Sequence, residues 1–268
     1  MTTTAAATTA VFSVPSRDLL RALNATKAAA HRRPSVPCLA GTLITARDGQ
    51  VNLSQYDYEH QITVELDTTA HTDGTWLIHH RVLLNTLTAL RSTTTAKKAD
   101  NSTVAFTITD QGNPALSFGG YTMPLESLDA ADYPTLPAPP EVVARFDQAD
   151  YTRALAQVAP AAGTDETLPA LVGIHMAVGE DGDARVSATD RYRIGTLVLS
   201  PLDGMAVPGE YNIPAKAVTS VAKHWQGRTD VEFLGGEGGY GLLCGVRADG
   251  ITLISRAIEQ EFPKIGPL

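Results

Sequence analysis

The 268-residue chain holds only two cysteines, two tryptophans and four methionines, and aromatic residues make up 6% of it. So few thiols exclude a disulfide-built scaffold and a cysteine-ligated zinc site. Cys38 and Cys244 lie in apolar, strand-like segments of different halves and read as buried free thiols. No apolar run approaches the roughly 18 residues needed to span a bilayer. Residues 1–10, almost all Thr and Ala, lack the basic start and apolar centre of an export signal and read as a disordered tail. A cytoplasmic protein with no membrane attachment is expected.

Catalytic signals are missing too. There is no Ser-centred elbow, no defensible pair of carboxylates, and the seven histidines show no ligand spacing. His79 and His80 are neighbours that a helix would point in different directions, so they read as a solvated or phosphate-facing pair. Gly235 to Gly239 lacks the Lys and Ser/Thr of a phosphate loop and reads as a flexible hairpin tip. No enzyme activity, cofactor or metal is expected.

What the chain does have is a duplication. Phe12 opens Phe-Ser-Val-Pro-Ser-Arg-Asp-Leu-Leu-Arg-Ala-Leu, and Phe146 opens Phe-Asp-Gln-Ala-Asp-Tyr-Thr-Arg-Ala-Leu. Pro37 to Gly41 returns as Pro169 to Gly173, Asp57 as Asp190, Ile78 as Ile213, and Tyr133-Pro134 as Phe262-Pro263. The offsets are 134, 132, 133, 135 and 129. A repeat of this size points to an array or ring whose function lies in its shape.

Each repeat reads as a strand, an Ala/Leu-rich helix, a strand pair, a further strand, a second helix and closing strands. Helices are expected over 16–33, 79–91, 147–163 and 214–228. Strand pairs are expected at 41–46 with 50–54, and at 173–178 with 184–188, each joined through an Asp-Gly connector of the hairpin kind. Further strands are expected at 61–67, 103–109, 115–119, 194–199, 230–234 and 250–257, and residues 93–101 read as a loop. The fold class is α+β, mostly antiparallel sheet with two helices per repeat. The proline-rich stretch 132–140 divides a first domain, 11–140, from a second, 141–268.

The net charge of −8 argues against a nucleic-acid partner until its distribution is read. The four helical segments hold 11 of 21 basic residues and 3 of 29 acidic ones. An acidic body with basic helices fits a protein that meets phosphates on one surface only.

Ala188-Thr189-Asp190-Arg191-Tyr192-Arg193-Ile194 is the densest polar cluster. It reads either as a turn in which Asp190 accepts backbone hydrogen bonds and two arginines are solvated, or as the rim of a surface pocket. Arg32 and Arg33 stand at a helix end, where cations complement the helix dipole in any case.

Two sets of motifs resemble the bacterial DNA polymerase III beta sliding clamp family. One is Arg33-Pro34-Ser-Val-Pro37-Cys-Leu39-Ala-Gly41 with Leu53-Ser-Gln-Tyr-Asp57-Tyr-Glu59. The other is Glu166-Thr-Leu-Pro169-Ala-Leu171-Val-Gly173-Ile174 with Ala188 to Arg193 and Glu261-Phe262-Pro263. The resemblance covers residues 11–268, the family's first and second domains. It implies a closed ring of six similar domains, with sheets outside and two helices per domain lining a hole that holds double-stranded DNA without reading its sequence. The implied DNA-facing residues are Arg17, Arg21, Lys27, Arg33, Arg81, Arg153, Lys216 and Lys223.

The family also tethers a DNA polymerase and a clamp loader through a peptide pocket. The matching positions are Leu171, Thr189, Arg191, Tyr192, Arg193, Ile194 and Pro263. Clamps of the family have three domains per chain, and two per chain implies a head-to-tail homotrimer. The pocket's other wall would then come from a neighbouring copy or from the junction of the repeats. The alternative function is a clamp-like interaction protein or decoy that binds a host clamp, a loader or clamp-binding peptides without encircling DNA.

Overall fold

The computed structural model describes residues 9–30, 34, 36–180, 182–202, 206–239 and 241–264. The chain forms two units. One comprises the chain up to Asp57 together with Ile62–Thr135, the other Tyr58–Gln61 with Leu136–Leu268.

Up to Thr135 the elements are β1 (Thr9–Pro15), α1 (Ser16–Thr26), β2 (Gly41–Arg47), β3 (Gln50–Tyr56), β4 (His60–Leu66), β5 (Gly74–His79), α2 (His80–Arg91), α3 (Ala96–Asp100), β6 (Thr103–Ile108), β7 (Pro114–Phe118), β8 (Tyr121–Pro124) and β9 (Ser127–Leu128). Beyond it come β10 (Val142–Phe146), α4 (Gln148–Val158), β11 (Gly173–Val178), β12 (Ala184–Thr189), β13 (Ile194–Leu199), β14 (Gly209–Pro214), α5 (Ala215–Ala222), β15 (Val231–Gly238), β16 (Gly241–Ala248) and β17 (Ile251–Arg256).

In the first unit, β1-β6-β7-β8 form one sheet and β4, β3, β2, β5 and β9 lie side by side in that order. In the second, β10-β15-β16-β17 and β13-β12-β11-β14 repeat the arrangement. The ladders β1·β6, β6·β7, β7·β8, β2·β3, β2·β5, β5·β9, β10·β15, β15·β16, β16·β17, β11·β12, β11·β14 and β12·β13 are antiparallel. Each unit is therefore itself a doubled strand-helix-three-strand motif, a finer repeat than the two the sequence displays. The likeness reaches single bonds. Ser54 Oγ and Thr63 Oγ1 share a hydrogen bond of 3.0 Å, and Ser187 with Thr196 share another of 3.0 Å.

Helical spacing explains how the elements pack. Leu19, Ala22, Leu23 and Thr26 are the buried stripe of α1, and Leu83, Leu87 and Leu90 that of α2. The two helices pack together and onto the sheets. Phe12 stacks on Phe106 at 5.3 Å, and Trp76 meets Phe106 edge-on at 5.4 Å. In the second unit, Tyr151, Leu155 and Val158 of α4 and Val218 and Val221 of α5 are buried. Full burial of each such Leu, Val or Phe contributes about 1.5–3 kcal/mol.

Several expectations need correction. Helix α1 stops at Thr26 and a 3₁₀ turn, Lys27–Ala29, follows it. Helix α4 stops at Val158, where Ala159, Pro160 and Ala161 tighten into another such turn. Helix α5 ends at Ala222, because His224 and Trp225 donate to Val221 and Ala222, three residues back, before Gly227 turns the chain at φ 71. Residues 96–100 of the expected loop form α3, which Arg91 anchors through Asp100. Gly250 belongs with Asp249 to the turn before β17, both at positive φ. Gly235, Gly236 and Gly238 are ladder residues of β15 rather than a loose tip. The phenol ring of Tyr211 fills the space beside Gly235, where a Cβ would come within 2.3 Å of it. His80 is buried rather than solvated, and shares a 2.9 Å hydrogen bond with Thr42 Oγ1. Residues 1–8 of the expected tail and Arg33 lie outside the described residues.

Candidate nucleic-acid interface and peptide-binding loop

Each helix buries one stripe in its own unit and turns the other to solvent. On α1 the outward residues include Arg17, exposed, and Arg21, half-buried one turn later. Lys27 is exposed just past the helix. On α2, Arg81, Asn85 and Thr88 are exposed, opposite the leucine stripe. Arg91, at the other end of α2, faces inward. Its guanidinium donates to Ser16 Oγ and to Asp100, while Ser16 Oγ donates to the Ala99 carbonyl at 2.6 Å. That cation holds α1, α2 and α3 together.

In the second unit, Arg153 of α4 and Lys216 of α5 are exposed, and Lys223 is exposed just past α5. Thr152, Leu155, Ala156, Thr219 and Lys223 border an apolar groove of about 310 Å³ between these helices. Three of the cations carry carboxylate partners: Arg17 with Asp18 at 3.7 Å, Arg153 with Asp150 at 2.8 Å, and Lys216 with Glu166 at 3.1 Å. Exposed pairs of this kind are weak and screened, so the arginines stay available to other anions. Pairing across 50 residues, as for Lys216 and Glu166, left no signal in the sequence.

The segment after β12 is a tight turn built by its own side chains. Asp190 Oδ1 accepts the backbone N–H groups of Tyr192 and Arg193, both at 3.0 Å, and Oδ2 accepts Arg193 Nε at 2.9 Å. Thr189 Oγ1 donates to the Arg193 carbonyl at 2.8 Å and accepts the Arg191 N–H at 3.2 Å. Desolvation opposes ionisation of Asp190, yet these donors together hold its carboxyl below the usual carboxylate range. Arg191 sits at φ 78. The turn leaves Tyr192 90% exposed and Ile194 48% exposed. The chemistry is that of a rigid loop presenting an aromatic ring, an aliphatic side chain and a guanidinium to solvent. Of the two readings of the sequence, the structure bears out the turn, in which Asp190 accepts backbone hydrogen bonds and both arginines are exposed.

Leu171 is buried in a short turn, 169–171, and its carbonyl accepts the Gly163 N–H at 2.7 Å. The charge of Arg191 contributes to keeping the Asp165 carboxyl low, after the two hydrogen bonds from Thr167. Pro263 arrives by another route. Gln260 Oε1 accepts the Ala170 N–H at 3.3 Å, Ile258 N–H donates to the Asn212 carbonyl at 2.9 Å, and Phe262 stacks on His175 at 4.6 Å. Pro263 follows Phe262 and is exposed. Sequence reasoning missed the roles of His175, Asn212 and Gln260 in seating this terminal segment, since nothing local marks them.

Two units of doubled strand-helix-three-strand motif, with helices that carry basic residues on their solvent stripes, define a tandem DNA-clamp fold. The chain belongs to the DNA polymerase III beta subunit family, the beta sliding clamps. Its residues 10–137 match the family's N-terminal domain and residues 145–264 its central domain. It is 32% identical over 239 residues to the beta sliding clamp of Micrococcus luteus, covering 88% of this chain and 72% of that protein. It is 31% identical to the clamp of Streptomyces coelicolor, covering 87% of this chain and 59% of that protein. The beta sliding clamp homolog GriR of Streptomyces muensis is 32% identical, with 87% and 61% covered. Among solved structures, the DNA polymerase sliding clamp of Bacillus subtilis superposes with a TM-score of 0.79 at 21% identity, over 94% of this chain and 66% of that one. A Pseudomonas aeruginosa clamp bound to griselimycin gives 0.78 at 18% identity, over 95% and 66%. At such identities the structural likeness speaks to fold alone.

Proposed function

We propose that the chain is a processivity factor, a non-enzymatic sliding clamp that encircles duplex DNA without sequence preference and tethers a replicative polymerase. The observation that carries this reading is the disposition of charge on the helices. Arg17, Arg21, Arg81, Arg153 and Lys216 fall on stripes opposite the buried ones, with Lys27 and Lys223 just beyond two helix ends. A cationic lining would hold phosphates by long-range attraction, which carries no sequence information, and let the duplex slide. The two clamp domains are residues 11–140 and 141–268, and three copies joined head to tail supply the six domains of a ring. Polymerase and clamp loader dock by peptide segments on the surface of Leu171, Thr189, Arg191, Tyr192, Arg193, Ile194 and Pro263, as the exposed ring of Tyr192 and the rigid turn beneath it suit. Among the described residues no helix is long and apolar enough to cross a membrane, and we place the activity in the cytoplasm.

The test is retention on nicked circular DNA after loading. The clamp should stay on the circle, leave when the circle is linearised, and lose encounter rate steeply as salt rises. Reversing Arg17, Arg21 and Lys27 to Glu should lower retention at least tenfold while leaving the assembly's mass unchanged. Equal binding to linear and circular DNA would sink the proposal.

A further inference from the structure

Two helix pairs hold corresponding places in the repeat, and they meet differently. Helices α1 and α2 pack together, whereas a groove of about 310 Å³ lies between α4 and α5. The sequence accounts for the difference. Counted from the first residue of each helix, Thr152 is fifth in α4, where α1 has Leu20. Thr219 and Ala222 are fifth and eighth in α5, where α2 has Leu84 and Leu87. All three shorter residues border the groove. Three leucines of the first unit have become two threonines and an alanine in the second, and the missing side-chain volume is left as open space.

The groove is apolar with one charged end. Leu155, Ala156, Pro160 and Ala222 form its walls. Thr219 Oγ1 donates to the Ala215 carbonyl at 2.6 Å, so that hydroxyl is engaged within its own helix. Among the described residues that line the groove, Lys223 alone is charged, and it is exposed just past α5. Arg153 of α4 and Lys216 of α5 pair with Asp150 and Glu166, but among the described residues Lys223 has no carboxylate partner. Water in such a groove meets few hydrogen-bonding groups, and its replacement by hydrocarbon is favourable.

We propose that this groove binds a free medium-chain carboxylic acid, with the hydrocarbon tail between α4 and α5 and the carboxylate at the Lys223 ammonium. Charge complementarity selects the acid over a neutral or cationic chain, because the one ionic group on the groove is an unpaired cation. Size selects a short single tail. Small-molecule pockets run from about 300 to 1,000 Å³, and this groove stands at the lower end, too small for the paired tails of a membrane lipid. The site does not depend on the ring. On the clamp reading, the bound acid offsets Lys223, one of the proposed DNA-facing cations, and occupancy weakens the hold on phosphates.

The probe is octanoate, kept below the concentration at which it forms micelles, with 1-octanol as the neutral chain of equal length. Titrated into the full chain and followed by methyl NMR, octanoate should shift the Leu155 and Ala156 signals together and to saturation. It should bind about threefold more tightly than octanol, the scale of an exposed ion pair, and Lys223→Gln should erase that preference. Thr219→Leu with Ala222→Leu, which installs the leucines of the first unit, should weaken octanoate at least tenfold. Octanol binding as tightly as octanoate, or undiminished binding to the double variant, would overturn the proposal. Should the double variant misfold, Ala156→Leu, at an exposed position on the groove, fills the same space, and unchanged affinity there counts equally against it. Shifts scattered over the protein that never saturate would also overturn it.

Discussion

The backbone N–H of Tyr56 donates to the phenol oxygen of Tyr133 at 2.8 Å. Tyr56 ends β3 and Tyr133 lies near the end of the first unit, in the proline-rich stretch 132–140, and both are buried. Next to them Cys38 Sγ donates to the Asp132 carbonyl at 3.2 Å. Burial pushes the Tyr133 phenol up, well out of reach of physiological pH, despite the opposing pull of the Tyr56 N–H. The phenol stays neutral and the start of the linker stays fastened to the first unit.

Tyr133→Phe leaves the ring in place and strands the Tyr56 N–H in a buried setting. Such an orphan costs about 1–3 kcal/mol. The urea midpoint of the first transition should fall accordingly, and an unmoved midpoint would show that water takes the place of the hydroxyl.

His80 supplies a pH signature. Burial is the main cause that lowers its pKa from 6.5 to about 4, and the charges of His79 and Lys27 push the same way. In the unfolded chain the ring takes up a proton near 6.5, whereas the folded chain resists protonation until about 4. Stability from this group is complete above the upper value and declines as pH falls between the two. The loss is at most about 3 kcal/mol, and less where water reaches the ring. Denaturant midpoints measured across that window should fall in the wild type and fall less in His80→Gln. The carboxylates of Asp190 and Asp249, held low by hydrogen bonds against desolvation, lose their contribution only at more acid pH.

Arg191 occupies a left-handed backbone conformation, φ 78, that disfavours any side chain with a Cβ. Arg191→Gly should therefore raise stability by about 1 kcal/mol. The same variant should weaken binding of a polymerase-derived peptide about tenfold if the guanidinium contacts it, a change worth about 1.4 kcal/mol. Calorimetric melting and peptide titration read the two effects separately. A destabilised variant would show that Arg191 is held by interactions beyond the turn.

Gly245 should tolerate nothing larger. A Cβ there would lie 2.0 Å from the Leu253 carbonyl oxygen, a backbone atom of the neighbouring strand. Gly245→Ala must push β16 from β17, and overpacking of this kind costs about 1–3 kcal/mol or more. Equal thermal midpoints for variant and wild type would contradict the close approach.

Legibility in the sequence followed locality. Asp48-Gly49 announced the first hairpin, and both residues take the positive φ that such a turn requires. Strands β11 and β13 coincide with their expected limits, β11 between a 3₁₀ turn and the turn after Val178, and β13 between the Asp190 turn and Pro201. Strands β5, β14 and β16 left weaker traces. Gly245 breaks the apolar run of β16, and β14 mixes a polar start with a buried end. Helix ends were overrun wherever a 3₁₀ turn continued the same spacing, as at Lys27 and Ala159. In the loop at 189–193, Asp190 was readable as a backbone cap because its acceptors and donors sit two and three residues apart. The union of Ala170 with Gln260, 90 residues on, was not, since only the folded chain brings them together.

The turn that displays Tyr192 is closed by Thr189 and Asp190 through bonds that begin and end within five consecutive residues. Whatever stands at its tip can be exchanged without retuning the sheet that carries it. Under the docking role proposed above, a substitution at the exposed Tyr192 alters the displayed surface and meets little resistance from folding.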